Sequence, residues 1–132
     1  MTTEPLSPVS LSILIVEDDP MTSHLASHHL KPFGNVLATS NAHEAVANYM
    51  VHRPGLVFVD IHYSNEEKNG FDVLRDLLSA DADAFIVMVS SDHDAATIAK
   101  CLALGAQGFI AKPFKQNDFT YYLQKHKINA EI

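Results

Sequence analysis

The sequence predicts an α/β domain in which five strands, each followed by a helix, build one parallel sheet with helices on both faces. Three observations carry this reading. Short apolar runs recur at residues 11 to 16, 35 to 39, 56 to 60, 84 to 89 and 107 to 111. Between them, apolar side chains return at the three- and four-residue spacing of helices with one buried face. Strand and helix alternate strictly, the pattern of parallel strands joined by right-handed crossovers. Most of the strand runs are continuously apolar rather than alternating, as strands covered on both faces should be.

Taken in order, residues 1 to 10 are rich in Thr, Ser and Pro and read as a flexible arm. The first strand ends at Glu17-Asp18-Asp19-Pro20, where Asp19 can cap the following helix and Pro20 can take its first position. That helix runs to about Leu30, with Leu25, Ala26, His29 and Leu30 turned inward, and stops before Lys31-Pro32-Phe33-Gly34. After the second strand, Asn41-x-x-Glu44 resembles a capping box, and Ala42, Ala45, Val46, Tyr49 and Met50 form the inner face. Pro54-Gly55 breaks this helix and leads into Leu56-Val57-Phe58-Val59-Asp60, an apolar strand that ends on a carboxylate. A polar loop through Asn69-Gly70 precedes a helix carrying Phe71, Leu74, Leu77 and Leu78. The fourth strand leads to Ser90-Ser91-Asp92. Ala95, Ile98, Ala99 and Leu102 mark the next helix, which Gly105 closes. Lys112-Pro113-Phe114 follows the fifth strand, and a last helix carries Phe119, Tyr122 and Leu123. The folded domain is thus residues 11 to 126, with 127 to 132 as a short tail.

At 132 residues the chain suits a single domain with a real core. A net charge of -7 argues against a nucleic-acid-binding face, which needs clustered Lys and Arg. The lone Cys101 excludes an internal disulfide and fits a reducing cytoplasm. The first ten residues lack a secretory signal, and no apolar run approaches the roughly 20 residues of a membrane span. A cytoplasmic protein that does not engage membranes is expected.

The chemistry follows from the sheet. Every strand of a parallel sheet ends at the same edge, so Glu17, Asp18, Asp60, Ser90 and Lys112 come together there. Three carboxylates would repel one another, and a hard divalent cation with oxygen ligands, Mg²⁺ above all, relieves that. A lysine and a hydroxyl add the counter-charge and hydrogen bonding that a transferred phosphoryl group requires. There is no Gly-rich phosphate loop, so nucleotide binding is not expected. A phosphoryl group carried on Asp60 itself is the chemistry that remains.

Ile13-Leu14-Ile15-Val16-Glu17-Asp18-Asp19-Pro20, Val57-Phe58-Val59-Asp60, Val87-Met88-Val89-Ser90 and Lys112-Pro113-Phe114 together resemble the receiver domain of two-component response regulators. The resemblance covers residues 11 to about 126. It implies the flavodoxin-like strand order 2-1-3-4-5 in a doubly wound (βα)5 domain. It also implies that Asp18 binds Mg²⁺ directly and Glu17 through water. Asp60 becomes both phosphoacceptor and metal ligand, and the backbone carbonyl of His62 completes the protein's share. Ser90 becomes the switch hydroxyl, Lys112 the salt-bridge partner of the phosphoryl group and Phe109 the switch aromatic. Lys112-Pro113 becomes a candidate cis bond. Departures from the pattern are Tyr63-Ser64 where receivers commonly have Met-Pro, and a loop to Gly70, containing Glu66-Glu67-Lys68, that is about two residues longer than usual. His62 and Asp92 occupy positions that influence phosphoryl lifetime.

The resulting expectation is a single-domain response regulator rather than a conventional enzyme. A histidine kinase or histidine phosphotransfer protein phosphorylates Asp60 in a Mg²⁺-dependent step, and the face built by helix four, strand five and helix five switches binding to a downstream protein. A phosphorylation-dependent homodimer stays open beside these partners. The rival readings are a constitutive receiver-like interaction module, a flavodoxin-like small-molecule binder, and the receiver fragment of a longer regulator. Among the remaining residues, His24 and His28 have zinc-compatible spacing without visible further ligands, and read as an exposed pair. Cys101 reads as a small, partly buried helix residue, and Tyr121-Tyr122 as one ring in and one ring out.

Overall fold

The computed structural model describes residues 11 to 63 and 68 to 131, apart from the side chains of 128 to 131. The expected elements are all present: β1 Ser12–Val16, α1 Pro20–Leu30, β2 Asn35–Thr39, α2 Ala45–His52, β3 Leu56–Asp60, α3 Gly70–Ala80, β4 Ile86–Ser90, α4 Ala95–Ala103, β5 Gly108–Ala111 and α5 Gln116–Glu131. The strands form one parallel sheet in the order β2-β1-β3-β4-β5. Pairing of Val16 with Val59, Asp60 with Val89 and Ser90 with Ala111 sets the carboxyl ends of the strands along one edge.

The sheet divides the core in two. Leu14, Val16, Val57, Val59, Ile86 and Met88 pack with α2 and α3 residues such as Tyr49, Leu74 and Leu77. Ile13, Ile15, Leu56, Phe58, Val87 and Ile110 pack on the other face with Ala26 and Leu30 of α1 and Phe119 of α5. Side chains alternate along a strand. Continuing Ile13-Ile15, Leu56-Phe58 and Ile110 by two residues gives Glu17, Asp60 and Lys112, so all three extend the same face beyond the apolar core. All of β3 is buried, which explains its unbroken apolar run.

Local chemistry sets the helix ends. The Asp19 side chain accepts the Thr22 N–H at 2.9 Å, with Pro20 at the start of α1. Gly105, at φ 107°, follows α4 as expected of a glycine closure. The capping box lies elsewhere than expected. Asn41 accepts from the His43 N–H and opens a 3-10 turn, Ala42–Glu44, ahead of α2. The reciprocal pair is Asn69 and Asp72 at the start of α3, with bonds of 3.1 and 2.9 Å. Aspartate is short for that position, which hid the motif.

Ala95 and Ala99 of the helical pattern are exposed, and so are three large apolar residues of it: Leu25 at 47%, Met50 at 41% and Leu102 at 52%. Each of these three sits next to a buried residue, Ala26, Tyr49 or Cys101, and so lies about 100° around the helix from it. The buried stripe is narrower than the apolar pattern. Helix α5 continues to Glu131, so residues 127 to 131, assigned to a tail, extend it. The arm at residues 1 to 10 and the loop residues Ser64, Asn65, Glu66 and Glu67 lie outside the described residues. Among the described residues, no helix is long and apolar enough to cross a membrane.

Candidate functional site

At the carboxyl edge of the sheet, Glu17, Asp18 and Asp60 each bring a carboxylate oxygen within 4.8 Å of the others. Glu17 and Asp60 are buried, at 5% and 6% exposure, while Asp18 is half-buried. Lys112 Nζ donates to Glu17 Oε1 at 3.0 Å and to Asp60 Oδ1 at 3.2 Å. The Asp19 N–H donates to the other Glu17 oxygen at 3.1 Å. Sequence reasoning grouped these residues but did not pair Lys112 with Glu17.

Burial pushes the Glu17 carboxyl up to about 7, and the charge of Asp60 adds to it, against the lowering effect of Lys112 and the Asp19 N–H. Burial alone would lower the Lys112 pKa. Its hydrogen bonds to the two carboxylates and their charges outweigh that and raise it. A buried cluster with more carboxylate than ammonium is short of positive charge. The donors are all hard oxygens within 4.8 Å of one another, so a small hard cation fits. Among the described residues, no other group of three His, Cys, Asp or Glu side chains has this closeness. His24 and His28 are exposed on α1 and outside the cluster.

The other predicted residues are close in topology but differently engaged. Ser90 ends β4, is fully buried, and its hydroxyl accepts the Asp92 N–H at 2.9 Å. The Ser90 carbonyl accepts from the Lys112 N–H at 2.9 Å, tying the ends of β4 and β5 together, and the Lys112-Pro113 bond is cis. Phe109 is half-buried against the α2/α3-side core. His62 is exposed in the segment after β3. Beside Lys112 lies an open pocket of about 310 Å³ lined by Thr22, Leu25, Ser91, Lys112, Pro113 and Phe114.

Two features escaped sequence reasoning. Tyr63 donates its hydroxyl to the Val16 carbonyl at 3.0 Å, bridging the segments after β3 and β1. The Tyr122 hydroxyl accepts the Phe109 N–H at 3.0 Å and donates to the Phe109 carbonyl at 3.2 Å. Tyr63 stood out as a departure from the usual pattern, but nothing in the sequence named its partner. Cys101 is buried, and burial pushes its thiol up to about 11. Tyr121 is exposed and Tyr122 half-buried, one ring out and one in.

Comparison with known proteins gives this geometry a family. The family model for the response regulator receiver domain matches residues 13–124. The chemotaxis protein CheY of Thermotoga maritima is 29% identical over 86% of this chain and 94% of that protein. The probable C4-dicarboxylate response regulator DctR of Priestia megaterium is 26% identical over 88% of this chain and 51% of its own length. The chain spans about half the length of DctR and of the other first curated relatives it matches. Among solved structures, the CheX-CheY-BeF3-Mg+2 complex of Borrelia burgdorferi superposes with a TM-score of 0.77 at 24% identity, over 92% of this chain and 90% of the matched one. The strand order, the acidic edge and the match across residues 13–124 agree, and the chain belongs to the response regulator receiver domain family.

Proposed function

We propose that the chain is a phosphorylation-operated switch, with Asp60 as phosphoacceptor and residues 11 to 126 as the unit that switches. The observation that carries this reading is the setting of the Asp60 carboxylate: buried, 3.2 Å from Lys112 Nζ, and within one cation's reach of Glu17 and Asp18. A phosphohistidine on a sensor kinase or a histidine phosphotransfer protein is the donor. An Asp60 oxygen attacks phosphorus, the P–N bond breaks, and its electron pair returns to the donor imidazole. Lys112 offsets charge on the phosphoryl oxygens, and Ser90, once released from the Asp92 N–H, donates its hydroxyl to one of them.

Asp18, Asp60 and the His62 carbonyl would hold Mg²⁺, with Glu17 acting through water; the cation supplies positive charge against which the phosphoryl oxygens are neutralised. The complex described as CheX-CheY-BeF3-Mg+2 supports this assignment by likeness of fold. Phosphorylation then shifts a two-state equilibrium through Ser90 and Phe109 to the face of α4, β5 and α5, where a downstream protein binds. The chemotaxis protein CheY of T. maritima, matched over 94% of its length, supports a unit of this size acting as a regulator. Acetyl phosphate with Mg²⁺ should label the protein, and Asp60→Asn should abolish labelling while leaving the circular dichroism spectrum intact. Stoichiometric, persistent labelling of Asp60→Asn would remove the assignment.

A further inference from the structure

We propose that Tyr63 is a positioning residue for the divalent cation of this site, an inference that rests on the metal reading above. The donors of the site come from two separate segments. Glu17 and Asp18 follow β1, while Asp60 and the His62 carbonyl belong to the end of β3 and the residues just after it. The β1–β3 ladder runs as far as Val16 and Val59, short of all these donors. Beyond it, Lys112 bridges Glu17 and Asp60 by charge, and it would leave that post on turning to a phosphoryl group. The Tyr63 hydroxyl makes a neutral bridge at the same level, donating to the carbonyl of Val16, the residue directly before Glu17.

The geometry around His62 points the same way. On its amino side, Ile61 is buried, its N–H donates to the Val89 carbonyl at 3.1 Å, and its carbonyl accepts from the Gly70 N–H at 2.7 Å. Gly70 has to be glycine for that approach, since a Cβ there would stand 2.3 Å from the Asp60 carbonyl oxygen and 2.5 Å from Ile61 Cα. On the carboxyl side of His62, the Tyr63 ring packs against the α2/α3-side core and its hydroxyl is tied to β1. His62 itself is exposed between two fixed residues, so the direction of its carbonyl depends on both. Ligand-orienting hydrogen bonds of this kind govern how well a site meets a cation with strict geometry.

The test is Mg²⁺ and Ca²⁺ titration by calorimetry of the parent protein and Tyr63→Phe, which keeps the ring and its packing. Mg²⁺ demands near-octahedral placement, whereas Ca²⁺ tolerates irregular ligands. Loss of the hydroxyl should weaken Mg²⁺ binding about ten-fold, and weaken Ca²⁺ binding by a clearly smaller factor, with far-ultraviolet dichroism unchanged. Unchanged Mg²⁺ affinity in Tyr63→Phe, or equal weakening for both cations, overturns the inference while leaving the metal site standing. Failure of the parent protein to bind Mg²⁺ overturns the metal reading itself, and the inference with it.

Discussion

Replacing Tyr122 by Phe removes one oxygen and two hydrogen bonds, both made to the backbone of Phe109. Among the described residues β5 is an edge strand paired with β4 alone, so the Phe109 N–H and carbonyl find their partner in α5 instead of in another strand. Each such bond contributes about 0.5–1.5 kcal/mol net, and the half-buried setting lets water recover part of the loss, so Tyr122→Phe should cost about 1–2 kcal/mol. Gly108 makes the contact possible: a Cβ there would lie 2.1 to 2.4 Å from Tyr122 Cε1, Cζ and the hydroxyl oxygen. Gly108→Ala must therefore displace the ring and break the same two bonds. Urea titration of the parent, both single variants and the double variant forms the assay. The double variant should be less destabilised than the sum of the singles by about the cost of Tyr122→Phe, at unchanged m-value. Full additivity, or a Tyr122→Phe cost below about 0.5 kcal/mol, refutes the reasoning, since the pair would then be independent or the bonds replaced by water.

Two further outcomes concern titration and reactivity. His126 packs edge-on against Phe85, and burial lowers its pKa below the ordinary 6.5. The unfolded chain then takes the proton more readily, so this residue's contribution to stability is intact above pH 6.5 and is lost as pH falls through that value to the folded pKa. Glu17, raised to about 7, acts in the opposite sense between 7 and 4.5, so the measurement is the pH-dependent difference in urea midpoint between parent and His126→Gln. A flat difference between pH 7.5 and 5.5 would contradict the His126 account. Cys101 is buried with its thiol raised to about 11, so an aromatic disulfide reagent at pH 8 should modify it only as fast as the protein unfolds. Rapid modification of the folded protein would show that the thiol is reached some other way.

How much of this was legible in the sequence depends on the range of the interaction. β3 was readable because it is buried throughout and its four apolar residues run unbroken up to Asp60. The gathering of Glu17, Asp60 and Lys112 was readable because a parallel sheet ends all its strands at one edge, and each of the three continues an inward apolar series by two residues. The pairings were not readable. Nothing local says that Lys112 reaches Glu17, 95 residues away in sequence, as well as Asp60, or that the Tyr63 hydroxyl finds the carbonyl of Val16. Those contacts depend on how far each loop turns after its strand, which the residues of that loop do not determine alone. The misplaced helix residues have a related cause. Leu25, Met50 and Leu102 satisfy the helical period, but only the sheet curvature and the neighbouring helix decide how wide a stripe is covered.

The charge count of the site gives the proposed metal dependence a basis independent of resemblance. Three carboxylates face one ammonium, and with Glu17 ionised two negative charges are uncompensated in a largely buried cluster. Burial and the charge of Asp60 raise the Glu17 pKa, which works against full ionisation of the cluster. On the proposed reading, an incoming phosphoryl group would add further negative charge at Asp60 and draw on the same Lys112 that now serves Glu17. Lys112 cannot neutralise both, and burial makes repulsion at these separations far stronger than in water. A dication would match the deficit of the ionised cluster and would free Lys112 to turn to the phosphoryl oxygens, which would account for a lysine shared between two carboxylates at rest. Asp18→Asn, which lowers the deficit by one charge, should on this argument reduce Mg²⁺ affinity while raising stability in the absence of metal. Both effects are readable from one thermal melt with and without Mg²⁺, and a metal-free variant no more stable than the parent would count against the electrostatic argument.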